Sequence, residues 1–136
     1  MSNREIKFRV WKKQTLVDTK YVLVKTPCIH NLVEMYKVLN DIFLNKLCVF
    51  QQFTGLKDEN EKEIYEGDIV ETIYADENHI GEIIFDNNTC AYRIKTKQNL
   101  LPIITYRFDE NYNPKGFLQV VTLIVGNIFE NSDLII

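Results

Sequence analysis

His30 and His79 are the only histidines in the chain, so any mechanism built on imidazole has to use one of them. Cys28 stands two residues before His30. On an extended segment these side chains share a face, which could set a thiol beside an imidazole. No G-x-S-x-G, H-E-x-x-H or local cysteine-protease signature accompanies them. The pair reads first as a buried cysteine and a histidine at a helix start, and an enzyme acting through Cys28 and His30 is the third choice of function. His79 lies close in sequence to Asp76, Glu77 and Asp86. That spacing fits neither a closed zinc site nor a calcium loop, so a solvated loop is expected. Asp58, Glu59, Glu61 and Glu63 read as a hairpin tip kept soluble by charge, with no reason to shift their pKa values. Nothing selects a catalytic pair from the nineteen acids. The five glycines are scattered singly, so neither a P-loop nor a dinucleotide fingerprint can be built. The expectation is no catalytic residue, no metal and no cofactor.

The composition narrows the partners. A net charge of -3 and a pI near 5.4 give no long-range attraction to phosphate polymers. Arg4, Lys7, Arg9, Lys12 and Lys13 cluster near the N-terminus, but they are interleaved with Ile6, Phe8, Val10 and Trp11, the alternation of a strand with one wet face. Trp11 and Phe8 could form an aromatic surface, although rings docked into the core are the first reading. A nucleic-acid face remains the alternative function. It needs those cations to meet Tyr92, Arg93, Lys95 and Lys97 on one surface. Cys28, Cys48 and Cys90 are widely separated, form no disulfide framework or C-x-x-C motif, and read as small apolar fillers. No apolar run approaches the roughly 18 residues that span a bilayer, so no membrane contact and a cytoplasmic location are expected. The Asn87-Asn88-Thr89 sequon then reads as turn chemistry.

The elements that would carry these residues follow from periodicity. Ile6, Phe8 and Val10 alternate with Lys7 and Arg9, and Tyr21–Val24 follows after a polar stretch, which predicts two neighbouring strands. Leu32, Met35, Tyr36, Leu39, Ile42 and Phe43 recur at three- and four-residue intervals and predict one amphipathic helix over about 31–43, with Asn31 and Glu34 as its cap. The rest is β-like. Ile69–Tyr74, Gly81–Phe85 and Cys90–Lys95 alternate, and Asp86-Asn87-Asn88 predicts a hairpin. Pro102 marks Leu100–Thr105 as an edge strand or a loop. Asp109–Gly116 is a turn cluster. Leu118–Val125 is apolar at nearly every position and should be covered on both faces.

Three stretches carry a family resemblance: REIKFRVW (Arg4–Trp11), FTGLKDENEKEIYEGDIV (Phe53–Val70) and VGNIFEN (Val125–Asn131). With them the chain resembles the YopX family of phage and prophage proteins, which has no established biochemical activity. Glu61 stands where members commonly have Gly at the turn. The resemblance implies a small SH3-like barrel at residues 51–136 beside an N-terminal α+β segment at residues 1–50, so the fold expected is mainly β, α+β overall. A phage or prophage accessory protein in the cytoplasm of a bacterial host is expected. The preferred function is non-enzymatic: a module that binds an unidentified phage or host protein and self-associates into a homo-oligomer, with the apolar tail Leu134, Ile135 and Ile136 as interaction surface and exposed barrel edges suited to strand addition.

Overall fold

The computed structural model describes residues 5–12, 22–24 and 48–135. Among them, short alternating segments form β1 (Phe8–Lys12), β2 (Val22–Val24), β3 (Cys48–Lys57), β4 (Glu63–Tyr65), β5 (Asp68–Tyr74), β6 (Glu77–Asp86), β7 (Ala91–Lys95), β8 (Leu100–Pro102), β9 (Ile104–Phe108), β10 (Pro114–Gln119) and β11 (Val121–Asn127), followed by a 3-10 turn at Ser132–Ile135. Two compact units result, one of Met1–Leu56 with Glu63–Glu66 and one of Lys57–Lys62 with Gly67–Ile136. The amphipathic helix expected over 31–43 lies outside the described residues.

The first unit holds a sheet in the order β2-β1-β3-β4. The two strands expected near the N-terminus are neighbours, with Val10 opposite Val24 and Val10 opposite Phe50 on the other side. The two-residue period of a strand sorts the side chains. Val10 and Ile64 are fully buried, and Phe8 meets Phe50 edge to face with ring centroids 6.0 Å apart. Trp11 is 2% exposed and its indole N–H donates to Gln51 Oε1 at 2.8 Å, so this ring docks into the core.

The second unit is an antiparallel meander in the order β11-β5-β6-β7-β8, with a separate β10-β9 ribbon. Connections of a few residues force neighbouring strands to pair. Ala75 and Asp76, both with positive φ, make the two-residue type I′ turn from β5 to β6, so the solvated loop expected around Asp76, Glu77 and His79 is shorter, and Glu77, Asn78 and His79 are already strand. Ile69, Val70, Ile83 and Ile94 are fully buried and form the centre of the core. Gly81 permits β6 and β7 to approach, since a Cβ there would lie 2.6 Å from the Lys95 carbonyl. The hairpin expected at Asn87 is present, with Asp86 opposite Ala91. Cys90 is no filler in a strand: it is exposed in that turn with φ 52°. The strand carrying Pro102 is at a sheet edge, as expected.

The expected closed barrel is not formed among the described residues. Two reasons are visible. β3 and β4 join β1 and β2, drawn by five consecutive register partners between β1 and β3. Further, no ladder joins β11 to β8; one backbone bond, Val120 N–H to the Ile103 carbonyl at 2.8 Å, links the neighbouring residues. The apolar run Leu118–Val125 is divided at Val120, which separates β10 from β11. The expectation that both its faces are covered fails: Leu118 is 51% and Val121 47% exposed.

Two hairpin turns share one design. At 58–62 the Asp58 carbonyl accepts from Glu61 N–H and Asp58 N–H donates to the Lys62 carbonyl; at 109–113 Asp109, Tyr112 and Asn113 repeat both bonds. The fourth residue of each turn is left-handed, Glu61 at φ 62° and Tyr112 at φ 61°. That conformation costs a residue with a Cβ about 1–2 kcal/mol, partly offset by the unfolded-state entropy glycine loses. Glu61→Gly is expected to stabilise the protein by about 0.5–1 kcal/mol in chemical denaturation. Gly81→Ala is expected to cost about 2 kcal/mol or more in the same assay, because strand β7 has to move.

Candidate interaction surface

The residues singled out for chemistry do not converge. Cys28 and His30 lie outside the described residues, as do Arg4, Lys13 and Ile136. Lys7 and Arg9 belong to the first unit and are engaged within it. Lys7 pairs with Glu63 and, at 3.3 Å, with Glu5, and its ammonium sits 4.5 Å from the Phe53 ring centroid. Its hydrogen bond to Glu63 raises its pKa. Arg9 donates to Gln51 Oε1 at 2.7 Å and lies over Trp11 and Tyr65, 5.6 and 4.9 Å from the ring centroids. Burial, aided by Glu63, pushes the Tyr65 hydroxyl up to about 12. This cation and aromatic layer holds one face of the first sheet together.

In the second unit Arg93 donates to Thr89 Oγ1 at 3.0 Å and lies 3.4 Å from Asp86, while Lys95 is exposed opposite Glu82. Lys12 ends β1. His79 Nε2 is 3.9 Å from Glu77, but Asp86, at the far end of β6, is occupied by its own turn, where Asn88 N–H and Thr89 Oγ1 donate to it. Among the described residues no three His, Cys, Asp or Glu side chains are grouped to hold a metal.

What the second unit does present is an open apolar face. On β5, Glu71 and Ile73 point away from the side that buries Val70 and Thr72. Register places Ile73 between Val121 and Asn78, and Glu71 between Leu123 and Ile80. Ile73 is 49% and Val121 47% exposed, and with Leu123 and Ile80 they line a groove of about 500 Å³. The other end of the same face is covered by the chain itself. Ile135 shares a groove of about 280 Å³ with Ile80, Glu82 and Lys95, and Leu134 beside it is exposed. Burial pushes the Glu82 carboxyl up, against the opposing pull of Lys95.

Asp58 departs most from expectation. It belongs to the charged stretch read as a solvated tip, yet it is 4% exposed. Its Oδ1 accepts from Asn60 and Lys62 N–H, both at 2.9 Å, and its Oδ2 accepts from Ile124 N–H of β11 at 3.0 Å. Glu59 N–H donates to the Thr122 carbonyl at 3.0 Å. Burial opposes ionisation, but the three backbone donors outweigh it and hold the carboxyl below its ordinary value. The local signal was the spacing of Asp58 from Asn60 and Lys62, the pattern of an aspartate capping its own turn. The partner on β11 has no local signal.

The YopX protein family model matches residues 7–136. The chain belongs to the YopX family. No curated protein matches it. Within the described residues of this YopX member, no helix is long and apolar enough to cross a membrane.

Asp58→Ala leaves three backbone N–H groups without their acceptor and is expected to cost about 3 kcal/mol in chemical denaturation. Acidification separates two effects. Glu82, raised in the folded state above its ordinary 4.5, weakens the fold when ionised, so stability rises as pH falls toward 4.5. Asp58, lowered below its ordinary 3.8, contributes stability that is full above 3.8 and lost as pH falls through its folded value. A shallow rise followed by a decline below about pH 4 is expected in the melting temperature, and the decline is expected to be smaller in Asp58→Ala.

Proposed function

We propose that this YopX protein is a non-enzymatic interaction module that binds a protein partner, a second copy of itself included, through the open face of β11, β5 and β6. The observation that carries the reading is the pair Ile73 and Val121, register partners that are each about half exposed beside the groove. Apolar side chains held side by side on a rigid sheet are costly to leave in water and gain free energy when covered. Leu134, and Phe117 and Leu118 of the β10-β9 ribbon, are further exposed apolar side chains of the same unit.

The meander is read here as an SH3-like sheet left open, a reading supported by the bond between Val120 and Ile103 near its two ends. A phage or prophage origin, an accessory role and a location in the host cytoplasm belong to the proposal. No observation favours the nucleic-acid alternative, because Lys7, Arg9 and Arg93 are held by partners within their own units.

Light scattering of the wild type and of Ile73→Lys tests this reading. A wild-type mass of at least twice 16.1 kDa that falls to the monomer in Ile73→Lys is expected. A wild-type monomer, or an oligomer indifferent to a lysine at position 73, would overturn it.

A further inference from the structure

β11 is the edge strand of the five-stranded sheet, pairing with β5 alone. An edge normally offers a row of unpaired N–H and C=O groups to any passing strand. Leu123 faces Glu71 of β5 in the ladder, so the backbone groups of Thr122 and Ile124 point the other way. Two of these four groups are already taken. The Thr122 carbonyl accepts from Glu59 N–H at 3.0 Å, and Ile124 N–H donates to Asp58 Oδ2 at 3.0 Å. One residue before the strand, Val120 N–H is bound by the Ile103 carbonyl. The turn at 58–62 therefore stands in for a strand, with the Asp58 carboxylate in the place of a carbonyl oxygen.

What lies behind this plug is an unusually receptive edge. Val121-Thr122-Leu123-Ile124-Val125 is uncharged, free of proline and rich in β-branched residues, the composition that pairs with copies of itself. We infer that the outer edge of β11 is a strand-addition site held closed by Asp58 and Glu59, and that the strand it accepts when open is β11 of a second copy. A two-fold axis at Leu123 pairs Thr122 with Ile124 of the second copy, which matches their outward N–H and C=O groups. The pairing also suits the side chains. Leu123 lies on the open apolar face beside Ile73 and Val121, so the joined sheets continue one apolar surface, and no charge of the run meets its like across the axis. Leu123 borders both this edge and the face proposed above, but the edge is made of backbone groups that the face does not use, and neither inference requires the other.

Light scattering of Asp58→Ala, of the milder Asp58→Asn, and of the double variant Asp58→Ala with Ile124→Pro tests the inference, with circular dichroism to confirm folding at the working temperature. Ile83→Ala, a core change away from the edge, serves as the destabilised control. A folded Asp58→Ala whose mass is at least twice that of the wild type, returned to the wild-type mass by Ile124→Pro, which removes the outward N–H from the edge, and not matched by Ile83→Ala, is expected. If Asp58→Ala does not fold, Asp58→Asn is read in its place. A folded Asp58 variant with the wild-type mass, a gain in mass that Ile124→Pro leaves in place, or an equal gain in Ile83→Ala would overturn it.

Discussion

A carboxylate with almost no contact with water organises the second unit. Asp58 satisfies two donors of its own turn and one donor of β11, and burying a charge this deeply is tolerable only because each bond is charge-assisted and made by a fixed backbone group. Much follows from that arrangement. The turn at 58–62 is tied to a strand more than sixty residues away in sequence, and Glu61 is held in a conformation a residue with a Cβ resists. The side of β11 on which a further strand could have continued the sheet is spent on a loop. The Asp58 side chain thus takes up part of the free edge of the open meander.

The chain offers a natural comparison of what local sequence can and cannot say. The triplet Asp-Glu-Asn occurs at 58–60, 76–78 and 109–111, with three outcomes. Asp109 accepts from the backbone of Asn111 and Asn113 as Asp58 does from Asn60 and Lys62, but Asp109 stays exposed. Asp76 instead takes a left-handed φ in a two-residue turn whose following Glu and Asn are strand. The turn propensity of the triplet was legible from residue types alone. Which copy would be buried was not, because that depends on β11 arriving from a distant part of the chain.

The same division runs through the rest of the fold. Alternation in 69–74, 81–85 and 90–95 made the central strands legible, as did the hairpin at Asn87, since both rest on local rules. Sheet membership was not legible: the residues from 51 onward read as a barrel, and long-range pairing of Cys48–Gln52 with Phe8–Lys12 places β3 in the first sheet instead. For the candidate surfaces, the basic residues near the N-terminus looked available because charge in a sequence is counted without its partners. Lys7 and Arg9 are instead consumed by Glu63, Gln51 and the rings of Phe53, Trp11 and Tyr65. The apolar face of β5 and β11 escaped notice for the opposite reason, since half of each alternating pattern was assumed to be covered.

The central claim is that ionised Asp58 accepts the Ile124 amide and so keeps the edge of β11 closed. A pH titration followed by nuclear magnetic resonance, reading the Asp58 carboxyl carbon and the Ile124 amide proton together, tests it most directly. The account predicts that both signals titrate with one shared midpoint below 3.8, the ordinary aspartate value, and that the Ile124 amide exchanges slowly with solvent above that midpoint. An Asp58 carboxyl titrating at or above the ordinary value, or an Ile124 amide that exchanges freely at neutral pH, would contradict it.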